Sequence, residues 1–152
     1  MKSLELKVHP PIVLFVSLIL TYGLSYFLPL LPMPSIFFDL HLYIGASGIL
    51  VAFAGIWEFR KAKTTIDPTK PEKARYLVSG GIYRVTRNPM YLGMQLIIIA
   101  AIFKFGNVYG FIALPTFILY ITQFQIKPEE RIIERIFGDE YVLYKKKVRR
   151  WL

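Results

Sequence analysis

Four long apolar stretches alternate with charged segments along the chain. Residues 8–38, 40–57, 88–103 and 105–126 carry no formal charge when histidine is neutral. A helix needs about 20 mainly apolar residues to cross the hydrocarbon of a bilayer. The first and fourth stretches reach this length and the second is close to it, whereas the third would span only about 24 Å at 1.5 Å per residue. The pattern predicts about four transmembrane helices, the third of them tilted, partial or extended by its flanks.

The predicted fold class is therefore all-α, a polytopic membrane protein with one membrane-embedded domain over residues 1–152. The predicted spans lie near residues 10–31, 40–59, 89–103 and 107–126. A turn at 104–107 joins the last two into a helical hairpin. The two segments predicted to build a site at the cytoplasmic surface are 60–88 and 127–152.

Basic residues are divided very unevenly between the two sides of these spans. Two precede the first span, eight lie between positions 60 and 87, and eight follow the last span, so eighteen of the nineteen share one side. This excess marks the cytoplasmic side, and we predict that both termini face it. Lys2 and Lys7 precede the first span as they would in a signal peptide, but no small-residue cleavage site follows, so we interpret the span as retained.

Composition restricts the chemistry that the chain can perform. Its 152 residues are 55% hydrophobic yet carry a net charge of +9, a combination that is unusual in a soluble domain. There are no cysteines, which excludes disulfides, thiol nucleophiles and thiolate metal sites. His9 and His41 fall on opposite sides of the predicted membrane, so we predict no metal site. No nucleic-acid partner is predicted.

The segment before the third span contains a dense polar motif. The glycine pair at 80–81 permits a sharp reversal. Asn88 followed by Pro89 predicts a helix start, with Asn as the N-cap and Pro at the first helical position. The free N–H groups of such a start favour an anion, and Arg84 and Arg87 reinforce that preference. The alternative is that these residues only anchor the helix at the interface.

The segment after the fourth span begins with two carboxylates at an otherwise basic surface. Glu129 and Glu130 either hold a ligand or balance the charge of Arg131 and Arg135. Further on, apolar residues recur among basic ones at Tyr141, Tyr144, Val148 and Trp151. This spacing predicts a basic amphipathic helix lying on an anionic leaflet, which makes anionic lipid headgroups a predicted partner.

These motifs, in this order, resemble the isoprenylcysteine carboxyl methyltransferase and phospholipid methyltransferase family of integral membrane enzymes. The resembling elements are Gly-x-Tyr-Arg at 81–84, Arg-Asn-Pro-x-Tyr-x-Gly at 87–93, Glu-Glu at 129–130 and Phe-Gly-x-x-Tyr-x-x-Tyr at 137–144. The stretch 64–72 is similar to the lead-in of prokaryotic members, and the resemblance covers residues 60–152. It implies an integral protein of a prokaryotic inner or plasma membrane.

The resemblance also implies methyl transfer from S-adenosylmethionine to a lipid-like or membrane-accessible acceptor, which arrives laterally from the lipid. The implied cofactor-binding residues are Asn88, Pro89, Tyr91, Gly93, Glu129 and Glu130. The implied substrate-binding residues are Tyr83, Arg84, Tyr144 and Arg149. No catalytic residue is assigned, because a carboxylate acceptor needs no general base, whereas a thiol, hydroxyl or amine usually must lose a proton.

Asn88 departs from the family pattern, since better-known members have histidine at this position. Asparagine still donates and accepts hydrogen bonds, but it cannot carry a positive charge. The acceptor stays open among prenylcysteine, a phospholipid amine, another lipid and a small thiol. The alternative function is a non-catalytic membrane scaffold or lipid-binding protein with a degenerate methyltransferase fold. A transporter or channel is disfavoured, because the central parts of the spans carry no charge.

Overall fold

The computed structural model describes residues 5–64, 72 and 74–152, and these residues form a helical protein. The helices are α1 Pro10–Phe27, α2 Ser35–Lys61, α3 Pro89–Phe105, α4 Ala113–Ile121, α5 Lys127–Phe137 and α6 Asp139–Lys147. Two 3₁₀ turns, Gly81–Arg84 and Val108–Ile112, and a π-helical segment, Thr122–Ile126, accompany them. The predicted all-α fold is confirmed. Positions 65–71 of the lead-in motif lie outside the described residues.

Three helices of the described chain are long and apolar enough to cross a membrane. They are Pro10–Phe27, Ser35–Lys61 and the continuous helix Val108–Phe137, while α3 is apolar but shorter. Its 17 residues would extend for roughly 26 Å. The sequence had therefore identified the short third helix correctly. Large apolar side chains such as Phe15 and Leu42 are exposed on α1 and α2, as expected of surfaces that face lipid.

The first helix ends before the predicted residue 31, and the second begins before the predicted residue 40. α1 stops at Phe27 because Leu28, which precedes Pro29, is extended, and a residue before proline disfavours the helical conformation. α2 begins at Ser35, directly after Pro34. The predicted spans ended mainly where charged residues occur. α2 instead contains the charged residue Asp39 in its N-terminal part.

The fourth helix does not end where the charged residues begin. Pro128 removes a backbone N–H and crowds the carbonyl four residues earlier, yet the helix runs on from Ile121 to Phe137 through the π-helical segment. The carbonyl of Phe124, which Pro128 leaves without its usual donor, accepts the backbone N–H of Leu6 at 3.0 Å. A wider π turn and a donor from the N-terminal segment thus accommodate the proline.

The central helix is α3, which packs against α2 on one side and against α1 and α4 on the other. Its contact with α2 is made by small residues. A Cβ added at Gly93 would lie 2.5 Å from the Gly48 carbonyl oxygen and 2.8 Å from Cβ of Ala52. Such close backbone approach is typical of helices that pack inside membranes. It fixes the position of α3, and therefore of the site at its start.

The predicted helical hairpin is present. α3 ends at Phe105, and Gly106 adopts the left-handed conformation with φ of 66°. The next residue, Asn107, is fully buried, and its Nδ2 donates to the carbonyl of Ser25 at 3.2 Å. The turn is therefore fastened to α1, and α4 returns towards the same end of the molecule as the start of α3.

Candidate active site

The start of α3 is positioned by a short turn that packs on the end of α2. Gly81 has φ of 54°, and a Cβ there would overlap the carboxylate of Glu58. The turn buries the side chain of Tyr83, whose ring meets Phe59 edge-on with centroids 5.5 Å apart. The glycine pair thus allows this turn to approach α2 closely.

The acidic pair after the fourth helix meets the start of α3. Tyr91 Oη donates to Glu129 Oε1 at 2.6 Å, and Gln125 Nε2 donates to the same oxygen at 2.9 Å. Arg87 Nη2 lies 2.9 Å from Glu130 Oε1. Two motifs that are distant in the sequence, with Tyr91 and Glu129 separated by 38 positions, therefore face each other, as the hypothesis of a shared site requires.

The carboxylate of Glu130 binds the guanidinium groups of two arginines. Besides Arg87, it accepts Nε and Nη2 of Arg150 at 3.1 and 2.6 Å. The Arg87 and Glu130 side chains are only 10% and 13% exposed. The Nε and Nη1 atoms of Arg87 are buried and have no hydrogen-bond partner among the described residues. Arg87 therefore presents two unused donors, although the sequence had suggested only a general preference for anions there.

The residues after α6 are not helical, and they lie against the loop that precedes α3. The backbone N–H of Arg87 donates to the Arg149 carbonyl at 3.0 Å. The Arg150 carbonyl accepts Thr86 Oγ1 at 3.2 Å and Asn88 Nδ2 at 2.9 Å. Trp151 packs against the hydrophobic core. This segment is therefore fastened to the loop that precedes α3.

The prediction that one amphipathic helix continues to Trp151 was therefore wrong. α6 ends at Lys147, and Val148 is extended with φ of −122°. The apolar residues of this region also face the protein, since Tyr141 and Val148 are buried. The apolar spacing favours a helix, but the carbonyls of Arg149 and Arg150 accept hydrogen bonds from the loop before α3. These contacts favour the non-helical conformation.

A partly open cleft lies between these elements. Its volume is about 110 Å³, and side chains from α2, the 74–78 segment, the start of α3, α5 and α6 line it. Most of its wall is aromatic or aliphatic. The charged or amide groups in that wall are Arg87, Asn88, Glu129 and Glu130. A mainly apolar lining with a few convergent polar groups is typical of small-molecule sites, but these usually have roughly 300–1,000 Å³, so the cleft must widen to admit a nucleoside.

The structure separates the predicted cofactor-binding residues into two sets. The four that line the cleft are Asn88, Tyr91, Glu129 and Glu130. Pro89 and Gly93 do not line it, and both lie against α2 instead. Pro89 occupies the first helical position as predicted, but Asn88 makes no side-chain cap, because its amide is bonded to the tail.

The predicted substrate-binding residues are likewise divided. Tyr83 and Tyr144 line the cleft. Arg84 lines a neighbouring cleft, and Arg149 has an exposed side chain and contributes its main-chain carbonyl. Tyr141 and Phe137 also line the cleft, and only the spacing of the last family motif had indicated them.

The tyrosines of the cleft are held in their neutral form. Burial raises the pKa of Tyr83 and Tyr141 above the ordinary value, and it raises the pKa of Tyr144 to about 12 against the opposing effect of Arg87. Tyr144 Oη donates to the Tyr83 carbonyl at 2.7 Å. At neutral pH these phenols are therefore protonated, and they serve as hydrogen-bond donors and apolar walls.

In residues 5–64, 72 and 74–152, no cluster of three or more His, Asp or Glu is placed to hold a metal.

Comparison with known proteins gives one family and one relative. A family model described as phospholipid methyltransferase matches residues 40–140, more than half of the chain. An uncharacterized protein of Haemophilus influenzae strain Rd is 51% identical over 63 residues, which are 41% of this chain and 100% of that protein. No solved structure matches. The matched range contains the turn at Tyr83, the start of α3 and the acidic pair.

Proposed function

Because the chain belongs to the phospholipid methyltransferase family, we propose that it transfers a methyl group from S-adenosylmethionine to a lipid-like acceptor. The family is one of methyltransferases, and the three long apolar helices suit a membrane protein. The main support for the proposal is the buried side chain of Arg87, which lines the cleft. Its Nε and Nη1 atoms have no hydrogen-bond partner among the described residues.

The groups around the cleft match the chemistry of the proposed methyl donor. The unpaired Nε and Nη1 of Arg87 suit a carboxylate oxygen each, because hydrogen bonds from a guanidinium to a carboxylate are charge-assisted. Glu129 forms no ion pair with any described residue and suits an ammonium or a ribose hydroxyl. Glu130 is already engaged by two arginines. We therefore assign it the positioning of Arg87 and the tail rather than a direct ligand contact.

When bound, S-adenosylmethionine would supply an electrophilic methyl group on its sulfonium. The task of the protein is then to align donor and acceptor in line within about 3–3.5 Å and to exclude water. Aromatic side chains of the wall, such as Tyr83 and Tyr141, suit a flat base or a sulfonium cation. The apolar side chains of Met90 and Ile133 suit the hydrocarbon of an acceptor.

Whether the reaction needs a general base depends on whether the acceptor must lose a proton. No histidine lines the cleft, and the raised pKa values of Tyr83 and Tyr144 make these phenols still weaker acids than free tyrosine. An acceptor that is nucleophilic without losing a proton, such as the carboxylate of a prenylcysteine, therefore suits these residues well. An amine acceptor would require another group to take its proton, and Glu129 is the nearest carboxylate without an ion pair in the described chain.

We also propose that the cleft and both termini face the cytoplasm of a prokaryotic inner membrane. The support is the charge distribution, since eighteen of the nineteen basic residues lie on that side of the predicted spans. Such a surface attracts anionic lipid headgroups. The acceptor then enters from the same leaflet.

Replacing Arg87 with Gln is expected to weaken binding of S-adenosylhomocysteine by about tenfold or more, because charge-assisted hydrogen bonds to the ligand carboxylate are lost. Binding to the purified full-length chain would be measured by calorimetry. Methylthioadenosine, which has neither carboxylate nor ammonium, should bind the variant and the original protein equally. Arg135→Gln changes an exposed arginine that forms no ion pair with another described residue, and it serves as the control.

Two results would contradict the proposal. The first is an original protein that binds no S-adenosylhomocysteine, which is what a non-catalytic scaffold requires. The second is an Arg87 variant that loses affinity for both ligands equally. Transfer itself would be measured with lipid extract and radiolabelled methyl donor, and label should appear in an organic-soluble product.

A further inference from the structure

The carboxylate of Glu129 is held by two side chains at one of its oxygens. Tyr91 Oη donates to Oε1 at 2.6 Å, and Gln125 Nε2 donates to the same atom at 2.9 Å. An ionised carboxylate oxygen offers about two lone-pair positions, so these two donors fill Oε1. No other described side chain is bonded to Glu129. Because Glu129 lines the cleft, its Oε2 is the oxygen available to a ligand there.

The π-helical segment brings Gln125 to this position. Ile121 and Ile126 are both fully buried although they are five positions apart, whereas one face of an α-helix recurs every three or four residues. The wider turn of Thr122–Ile126 directs Gln125 inward as well, and its side chain is only 2% exposed. A buried amide costs free energy unless it is hydrogen-bonded. Gln125 therefore contributes to the protein through its hydrogen bonds rather than through apolar packing.

A single available oxygen restricts what Glu129 would bind. A carboxylate that holds both hydroxyls of a ribose uses one oxygen for each, whereas an ammonium group can be held through one oxygen. Arg87 lines the same cleft, and its Nε and Nη1 have no hydrogen-bond partner among the described residues. An anionic group at Glu129 and a cationic group at Arg87 together match the ammonium and the carboxylate of an amino acid.

We propose that Gln125 positions the carboxylate of Glu129, because with Tyr91 it fills Oε1 and so leaves Oε2 for the ammonium group of the methyl donor. Gln125 does not line the cleft and acts only through Glu129. This inference rests on the function proposed above, since its ligand is the methyl donor. Loss of the Gln125 donor should therefore impair recognition of the amino acid part of that ligand and spare recognition of its adenosine part.

The test replaces Gln125 with Met, which keeps the length of the side chain and removes its donor. Binding of S-adenosylhomocysteine and of methylthioadenosine to the purified full-length chain would be measured by calorimetry. We expect Gln125→Met to bind S-adenosylhomocysteine about tenfold more weakly, and methylthioadenosine within about twofold of the original, because a hydrogen bond to a charged group is lost. Gln123→Met is the matched control, since Gln123 lies in the same π-helical segment and accepts a hydrogen bond from Lys127 instead.

A double variant separates positioning from a general structural role. Glu129→Gln alone should weaken the binding of S-adenosylhomocysteine by about tenfold, because the charge that faces the ammonium group is removed. Since Gln125 acts through Glu129, adding Gln125→Met to Glu129→Gln should cause no further loss. Binding of methylthioadenosine shows in each case that the variant is folded.

Several results would overturn this inference while the proposed function stands. Gln125→Met could bind S-adenosylhomocysteine as well as the Gln123 control does, or it could lose both ligands equally, or its loss could add fully to that of Glu129→Gln. Weaker methylthioadenosine binding by Glu129→Gln would overturn the inference too, because Glu129 would then hold the ribose. An original protein that binds no S-adenosylhomocysteine would instead overturn the proposed function, and this inference with it.

Discussion

Glu130→Gln is expected to lower the free energy of unfolding by about 3 kcal/mol, because it leaves a buried guanidinium without its counter-charge. The Arg87 side chain is only 10% exposed, and its Nη2 has the Glu130 carboxylate as its partner. Arg150, which holds the tail over the start of α3, would lose the same carboxylate. Unfolding in mixed micelles with a rising fraction of denaturing detergent would measure the loss.

The matched control is Glu134→Gln in the same helix. Glu134 pairs with Lys145 at 2.8 Å, but the two side chains are 43% and 33% exposed. Ion pairs in such surroundings contribute about 0–1 kcal/mol. If the two variants lost the same stability, the buried network at Glu130 would not have the energetic importance that its geometry indicates.

Gly93→Ala is expected to destabilise the protein by about 1–3 kcal/mol, as overpacking of a filled core does. The added Cβ would lie 2.5 Å from the Gly48 carbonyl oxygen and 2.9 Å from the Ala52 backbone nitrogen. Both are main-chain atoms of α2, so no side-chain rotation relieves the overlap and the two helices must separate. The same mixed-micelle unfolding would measure this effect.

Gly23→Ala in α1 provides the comparison for this change. The nearest atom to a Cβ at Gly23 is Cδ2 of Phe27 at 4.0 Å, which is ordinary contact. Alanine exceeds glycine in helix propensity by about 1 kcal/mol, so this variant should be neutral or slightly more stable. A Gly93 variant as stable as the Gly23 variant would show that α2 and α3 are not in the close contact described.

The sequence predicted the main features of the fold because they depend on local patterns. Apolar length located the helices, and the Asn88-Pro89 step located the start of α3 at the observed residue. The family resemblance implied that this start would meet the acidic pair, and Tyr91 and Glu129 are indeed bonded. The antiparallel hairpin brings the two segments to the same end of the molecule.

Other features depend on contacts between distant segments, which local patterns do not contain. Val148 and Trp151 fit a helical face, yet their segment is extended, because its main chain is needed by the loop at Arg87. The glycine at position 93 looked like part of a cofactor motif but serves helix packing. The fourth span was predicted to end near residue 126, whereas the helix continues through a π-helical segment and Pro128 to Phe137.

The tail is held to the start of α3 largely by its peptide groups. The carbonyls of Arg149 and Arg150 accept hydrogen bonds from Arg87, Thr86 and Asn88, and any residue could supply those carbonyls. The exposed side chain of Arg149 takes no part in these bonds. A deletion or insertion of one residue between Lys147 and Arg150 would instead shift every acceptor out of register. In this part of the protein, the spacing of the main chain is a constraint beside the side chains of Val148, Arg150 and Trp151, which are buried, bonded or packed against the core.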